Sequence, residues 1–142
     1  PGPFTDDALG HALGRAFVQW ANDPLTPSTA PGGTCLRGAA DYAAHGDWRR
    51  SGVRGSDGCG APMRVGPVGI AFRGPDQGAD RDRAARISSW VTHAHDNAVW
   101  ASVVTARLVS RALERGPLTV DDIGAARDAL PAGDVRDALS AA

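Results

Sequence analysis

The sequence predicts an all-α protein, and three observations support this fold class. Apolar residues recur at helix spacing in several segments, and residues typical of helix starts and stops separate these segments. No run of four or more residues alternates as a half-buried strand does. The 142 residues suffice for a single domain, residues 1–142, with a modest core. Because 42% of the residues are hydrophobic but only 6% are aromatic, this core relies on alanine more than on large side chains.

The first predicted helix begins near the start of the chain. Thr5 is a suitable N-cap, and Asp6 and Asp7 fall in the first turn, where negative charge complements the helix dipole. The sequence Asn-Asp-Pro at 22–24 ends the helix. One face of the helix carries the apolar residues Leu9, Ala12, Leu13, Ala16, Phe17 and Trp20.

The middle of the chain predicts two short helices separated by loops. Residues 23–33 are rich in Pro, Gly, Ser and Thr and indicate a loop before a helix at 34–44. Residues 46–60 are polar, glycine-rich and aperiodic, which predicts a long loop of the kind that often carries function. Pro62 suits the first position of a helix that extends to about residue 72.

The next two predicted helices flank a short interruption. The first covers about residues 80–91, and the sequence His-Ala-His at 93–95 interrupts it. Asp96 is the expected N-cap of the second helix, which ends at Gly116-Pro117. Its apolar face consists of Ala98, Ala101, Ser102, Thr105, Leu108, Val109 and Ala112.

Two further helices are predicted at the end of the sequence. Either Thr119 or Asp121 begins a helix that runs to about Leu130, and Asp134 begins the last one.

Charge and cysteine content exclude several classes of function. The net charge is −1, so we expect no specific nucleic-acid binding and no attraction to an anionic membrane. No apolar run has the roughly 18–20 residues that a membrane span needs, and the first residues do not form a signal peptide. With Cys35 and Cys59 alone, a disulfide framework is not expected, which fits a reducing cytoplasm.

The first candidate site is the tripeptide Thr5-Asp6-Asp7. A hydroxyl and two carboxylates are hard oxygen ligands, the type that Mg²⁺ prefers. The alternative is a threonine cap with acidic first-turn residues and no ligand, and the tripeptide alone favours this alternative.

The second candidate site is the segment 56–64 (SDGCGAPMR), in which glycines flank Cys59 just before a helix. Such a turn can direct backbone N–H groups toward a diphosphate. The segment lacks the lysine of a Walker loop and the preceding strand of a dinucleotide-binding fingerprint. Arg64 fits either a phosphate contact or a structural ion pair.

Two further segments are weaker candidates for a functional site. Residues 30–36 (APGGTCL) place two glycines before a helix start, which is compatible with a nearby anion or with an ordinary loop. His93 and His95 lack the further ligands that a zinc site needs. A histidine at a helix break suits a ligand contact or a surface turn, and for His95 the surface turn is preferred.

Together these segments resemble the ADP-ribosylglycohydrolase family. Residues 4–7 (FTDD) are similar to its (Y/F)-T-D-D-T motif, and residues 30–35 (APGGTC) to its PGNT segment. Residues 56–69 are similar to its S-x-G-(N/C)-G-x-x-M-R-x-x-P-x-G motif, and Thr92-His93 to its T-H step. The four segments occur in the family's order over residues 4–115, and their order is more specific than any one of them.

The resemblance implies an orthogonal bundle of helices around a two-magnesium cleft. It implies a hydrolase that removes ADP-ribose from modified protein side chains or related conjugates. In this interpretation Asp6 and Asp7 are catalytic and bind metal together with Thr5. The residues expected to contact substrate are Ser56, Gly58, Cys59, Gly60, Met63, Arg64 and His93.

Departures from the family pattern limit what is expected of this chain alone. Ala8 and Gly33 replace a frequent Thr and Asn, and no glutamate precedes the Thr-Asp-Asp motif. The later Asp-x-Asp-(Ser/Thr) motif is missing, because residues 80–82 (DRD) precede the Thr-His step and predict a solvated helix start. Because only about half of the expected metal ligands are present, we expect this chain to be a partial domain that alone is inactive or nearly so. It is expected to expose helix faces that allow self-association.

Two other functions remain open from sequence. The glycine loops could hold ADP-ribose without hydrolysing it, which would make the chain a binding module. Alternatively, the motifs could be vestigial in a helical interaction module without a ligand.

Overall fold

A computed structural model describes residues 4–141. In this part of the chain all regular structure is helical, apart from one isolated bridge between Val53 and His93. The all-α prediction is therefore confirmed. The eight α-helices of the described part are α1 (Asp6–Ala21), α2 (Gly33–His45), α3 (Trp48–Ser51), α4 (Gly66–Ala71), α5 (Gly78–Trp90), α6 (Asp96–Arg115), α7 (Val120–Asp128) and α8 (Asp134–Ser140).

Helix α1 begins and ends where its sequence predicts. The Thr5 hydroxyl accepts a hydrogen bond from the backbone N–H of Ala8 at 3.1 Å and caps the helix. At the other end, the backbone N–H of Asn22 bonds the carbonyl of Val18, and Pro24 follows.

Glycines let α1 approach α2 and α3 closely. A Cβ added at Gly10 would lie 2.4 Å from the Trp48 ring, and one added at Gly14 would lie 2.3 Å from the Tyr42 ring. These two rings form a core cluster with Ile87. The contact fixes the start of α1, and with it the Thr-Asp-Asp segment, against α3 and α5.

Helix α6 is the central element of the second half. Val103 and Ala106 on α6 are fully buried against Val65 and Ala85. A second face of α6 packs against the α7 region through Val104 and its cluster partners Ala126 and Leu130. The described residues thus form one cluster around α1, α2, α3 and α5 and two clusters along α6, and Trp100 packs against both of the latter.

Several predicted boundaries need correction. The predicted loop at 46–60 contains α3, which Asp47 caps by accepting from the N–H of Arg49. Burial of Trp48 anchors this short helix in the core. The predicted helix at 62–72 is a 3₁₀ turn, Pro62–Arg64, followed by α4. The cap of α6 is His95 rather than Asp96, because the imidazole Nδ1 accepts from the N–H of Asn97 at 3.2 Å.

The prediction of a solvated helix start at residues 80–82 is wrong for Asp82. This carboxylate accepts three hydrogen bonds from Arg107 of α6, at 2.7 to 3.2 Å, and its side chain is 26% exposed. A bidentate guanidinium–carboxylate contact of this kind joins α5 to α6. Local sequence patterns do not indicate this contact, because Arg107 lies 25 residues from Asp82 along the chain.

Among residues 4–141, no helix combines the length and the apolar character that crossing a bilayer requires.

The contact between α2 and the end of α5 gives a stability prediction. A Cβ at Gly38 would lie 2.6 Å from the backbone Cα of Thr92, which cannot rotate away. We expect Gly38→Ala to lower the free energy of unfolding by about 1–3 kcal/mol, measured by urea denaturation. Gly33→Ala in the same helix is the control, since nothing lies within 4 Å of its Cβ position. Equal stability of the two variants would contradict the packing described here.

Candidate active site

The carboxylates of the Thr-Asp-Asp segment are held by arginines from distant parts of the chain. Asp7 accepts a short hydrogen bond from Arg49 and a second from the indole N–H of Trp48 at 3.2 Å. Asp6 lies 3.4 Å from Nε of Arg83. Both carboxylates are about half exposed, with side-chain exposures of 48% for Asp6 and 62% for Asp7.

These contacts set the charge state of Asp7. The hydrogen bond from Arg49, followed by the one from Trp48, lowers the pKa of the Asp7 carboxyl below its ordinary value. The hydrogen bond to Asp7 in turn raises the pKa of Arg49. Asp7 is therefore an anion throughout the neutral range and is available as a ligand whenever the guanidinium moves away.

The donor chemistry of this segment fits a hard divalent cation. Two carboxylates and the Thr5 hydroxyl supply oxygen ligands only, which is the set that Mg²⁺ prefers. Within residues 4–141, no group of three or more His, Cys, Asp or Glu side chains is arranged to hold a metal ion. In this structure arginines pair with both carboxylates, and metal binding by the segment stays a prediction.

Residues 56–64, called here the glycine turn, lie apart from the two aspartates and pack against α2 and the end of α5. The Ser56 hydroxyl is 2.9 Å from the Thr34 hydroxyl at the start of α2, which joins the two glycine-containing segments. A Cβ at Gly60 would lie 2.9 Å from Sγ of Cys35, so this position accepts little more than a hydrogen atom. Cys59 and Met63 project from the turn, and Met63 is 78% exposed.

His93 lies directly beneath this turn. Its side chain is fully buried, and Nδ1 is 2.9 Å from the Thr92 hydroxyl. Nε2 faces the glycines, at 3.2 Å from a Cβ placed at Gly60 and 3.7 Å from one placed at Gly58. Burial, with a contribution from the charge of Arg64, lowers the pKa of His93 to about 4. The imidazole is therefore neutral near pH 7.

Arg64 points into the protein. Its guanidinium donates to the carbonyls of Gly60 at 3.0 Å and Ser88 at 2.7 Å, and to the Thr92 hydroxyl at 2.6 Å. It also lies 4.4 Å from the ring centroid of Phe17. The predicted structural ion pair of Arg64 is not observed within residues 4–141, because these partners are neutral, and its contact with phosphate stays a prediction. Arg64 holds the turn in place from within.

The structure does not bring the carboxylates and the glycine turn into direct contact. Phe17 follows Asp6 by eleven positions along α1, a rise of roughly 16 Å at about 1.5 Å per residue. Arg64, which bonds the turn, contacts α1 at Phe17. A cavity of about 520 Å³ lies beside Asp6, and none of residues 56–64 lines it.

The sequence match decides the family. The sequence model of the ADP-ribosylglycohydrolase family matches residues 2–142, nearly the whole chain. The chain belongs to the ADP-ribosylglycohydrolase family. Searches of curated proteins and of solved structures gave no significant match. The family consists of glycohydrolases, which agrees with the motif order and with the helical fold.

Sequence reasoning missed the residues that surround the two aspartates. Trp48, Arg49 and Arg83 are more than 40 residues from them, so no local spacing indicates the contact. A partial signal was present in α1, where Gly10 and Gly14 sit four residues apart in a helix interior. Glycine is unfavourable there and often marks a close approach.

Burial of neutral His93 gives a pH prediction. In the unfolded chain this histidine binds a proton below its ordinary pKa of 6.5, whereas the folded protein resists protonation down to about 4. Stability conferred by the neutral ring is complete above pH 6.5. It is lost as the pH falls toward 4, by up to about 3 kcal/mol.

Denaturant unfolding measured from pH 7.5 to 4 tests this expectation. Because carboxylates also titrate in this range, the wild type is compared with His93→Gln, which should show a smaller loss of stability toward low pH. His45→Gln, at an exposed position in the last turn of α2, should follow the wild type. Parallel pH profiles for the wild type and His93→Gln would show that His93 is not buried in its neutral form.

Proposed function

We propose that this protein is a Mg²⁺-dependent hydrolase that removes ADP-ribose from ADP-ribosylated protein side chains or related conjugates. The observation that carries the proposal is the family match over residues 2–142, which includes both the aspartates and the glycine turn.

The Thr5 hydroxyl and the Asp6 and Asp7 carboxylates would hold the metal. When bound, Mg²⁺ would supply Lewis-acid activation of water and orient the ribose hydroxyls. The carboxylates themselves place negative charge beside the anomeric carbon. This charge stabilises a transition state of oxocarbenium character.

The glycine turn and His93 would bind the remainder of the substrate. Gly58 and Gly60 would present backbone N–H groups to the phosphate oxygens. Ser56 contributes a hydroxyl, and Cys59 and Met63 are exposed at the same surface. Neutral His93 presents Nε2 toward the turn and can accept or donate one hydrogen bond there. Arg64 positions the turn through its hydrogen bond to the Gly60 carbonyl, and a contact with phosphate stays a prediction.

Three protein ligands satisfy only part of the octahedral shell that Mg²⁺ requires. We therefore expect residues 1–142 alone to bind Mg²⁺ weakly and to turn over substrate slowly or not at all. A longer natural form of the protein would be the form in which hydrolysis is measured.

The metal requirement has a direct test. We expect ADP-ribose to bind residues 1–142 more tightly with Mg²⁺ than without it, as measured by isothermal titration calorimetry. The double variant Asp6→Asn with Asp7→Asn should lose this dependence because it lacks both anionic ligands. In the longest natural form the same variant should lower ADP-ribose release by at least about a hundredfold.

The matched control is Asp121→Asn with Asp137→Asn, which changes the net charge equally at two exposed positions on α7 and α8. It should retain metal-dependent binding. Unchanged turnover in the Asp6/Asp7 variant would remove these residues from the mechanism.

The arginine contacts of the aspartates predict competition with the metal. Because Arg49 occupies Asp7, we expect Arg49→Gln to raise the affinity for a divalent cation by about two- to fivefold, the scale of an exposed ion pair. Mn²⁺ titration followed by electron paramagnetic resonance measures this affinity. The control is the exposed neighbour Arg50→Gln, which changes the charge equally. An equal rise in both variants would argue against direct competition at Asp7.

A binding module without catalysis is the second candidate function. The ion pairs at Asp6 and Asp7 favour it, since carboxylates neutralised by arginine need no metal to be stable. ADP-ribose binding that is insensitive to Mg²⁺ and to the Asp6/Asp7 variant would support this function over hydrolysis.

A further inference from the structure

A cavity beside α5 combines arginines and tryptophans in an arrangement that the hydrolase proposal does not use. It has a volume of about 520 Å³, within the range of small-molecule sites. Its lining is Asp6, Trp48, Arg49, Arg54, Arg83, Arg86, Ile87 and Trp90. Four cationic side chains and one carboxylate thus line the same cavity, in a chain whose net charge is −1.

The four arginines are not equivalent. Arg49 and Arg83 are engaged by the aspartates Asp7, Asp6 and Asp80. Within residues 4–141, Arg54 and Arg86 form no ion pair, and both are exposed. The cavity therefore keeps two uncompensated positive charges.

Tryptophan rings support the two free arginines. The Arg54 guanidinium lies 5.9 Å from the ring centroid of Trp90, and the Arg86 guanidinium lies 5.3 Å from that of Trp100. Contact between a guanidinium and an aromatic ring reduces the rotational freedom of the arginine while its N–H groups stay available. The Trp90 indole N–H is itself fixed by a hydrogen bond to the Arg49 carbonyl at 3.2 Å.

We propose that this cavity is a phosphoryl-binding site in which Arg54 and Arg86 bind the phosphate oxygens of a phosphate or diphosphate group. Guanidinium groups match phosphate geometry through paired N–H donors, and a tetrahedral dianion satisfies both charges at once. The apolar wall of Ile87 and Trp90 accommodates a nonpolar or ring portion attached to the phosphate.

This site differs from the glycine turn in its chemistry and in its requirements. It relies on side-chain charge rather than on backbone N–H groups, and its two principal arginines are independent of Asp6 and Asp7. Binding here does not require hydrolysis or a metal. Asp6 at the edge of the cavity opposes an anion by repulsion, so its neutralisation should strengthen binding.

Pyrophosphate is the probe that tests the site, with binding followed by calorimetry and by tryptophan fluorescence in the absence of metal. We expect saturable binding that weakens as salt is added, and a loss of at least tenfold in the double variant Arg54→Gln with Arg86→Gln. The control is Arg50→Gln with Arg73→Gln, which removes the same charge at exposed positions outside the cavity. Circular dichroism and urea unfolding verify that both variants fold.

Two outcomes would overturn the proposal: no saturable pyrophosphate binding by the wild type, or equal weakening in the control variant. Inorganic phosphate and AMP are compared with pyrophosphate, and tighter binding of AMP would identify a nucleotide as the source of the phosphoryl group. The variant Asp6→Asn with Asp7→Asn should bind pyrophosphate at least as tightly as the wild type. This result separates the site from the metal-dependent function, because the same variant is expected to abolish that function.

Discussion

The buried guanidinium of Arg64 is the contact on which the arrangement of the glycine turn depends. It connects the turn at Gly60 to the end of α5 at Ser88 and Thr92, and it packs against Phe17 of α1. The two terminal nitrogens of the guanidinium donate to these fixed acceptors, which offsets the cost of removing the charge from water, while Nε has no hydrogen-bond partner within residues 4–141. The backbone of the turn is therefore held by an internal cation, and this cation also helps keep neighbouring His93 neutral.

Burial of His93 follows from the same packing. The chain leaves α5 at Trp90, and the segment after it is covered by Gly38 of α2 on one side and by the glycine turn on the other. Glycines occur at both contacts because a larger residue would displace Thr92 or His93. The Thr-His step and the glycine-rich motifs, which are far apart in sequence, thus form one packed unit.

Helix positions could be predicted from sequence, whereas contacts between distant residues could not. The cap at Thr5, the end of α6 at Gly116 and the start of α7 after Thr119 all follow from local backbone chemistry. Helix α3 was missed because four residues are too few to show periodicity. The motif residues of the proposed site were predicted by resemblance, and their roles stay predictions. Their arginine partners were not predicted, because an ion pair between separate helices leaves no trace in local spacing.

The composition links the two kinds of binding proposed for this protein. The sequence contains arginine but no lysine. Four arginines line the cavity beside α5, whereas Asp6 is the single carboxylate that lines it. A guanidinium beside an aspartate can be replaced by a metal ion, but the displaced arginine then needs a new anionic partner. A phosphoryl group in the cavity would provide that partner for Arg49 or Arg83. Cation binding at the aspartates and anion binding in the cavity should therefore favour each other, since each restores the charge balance that the other disturbs.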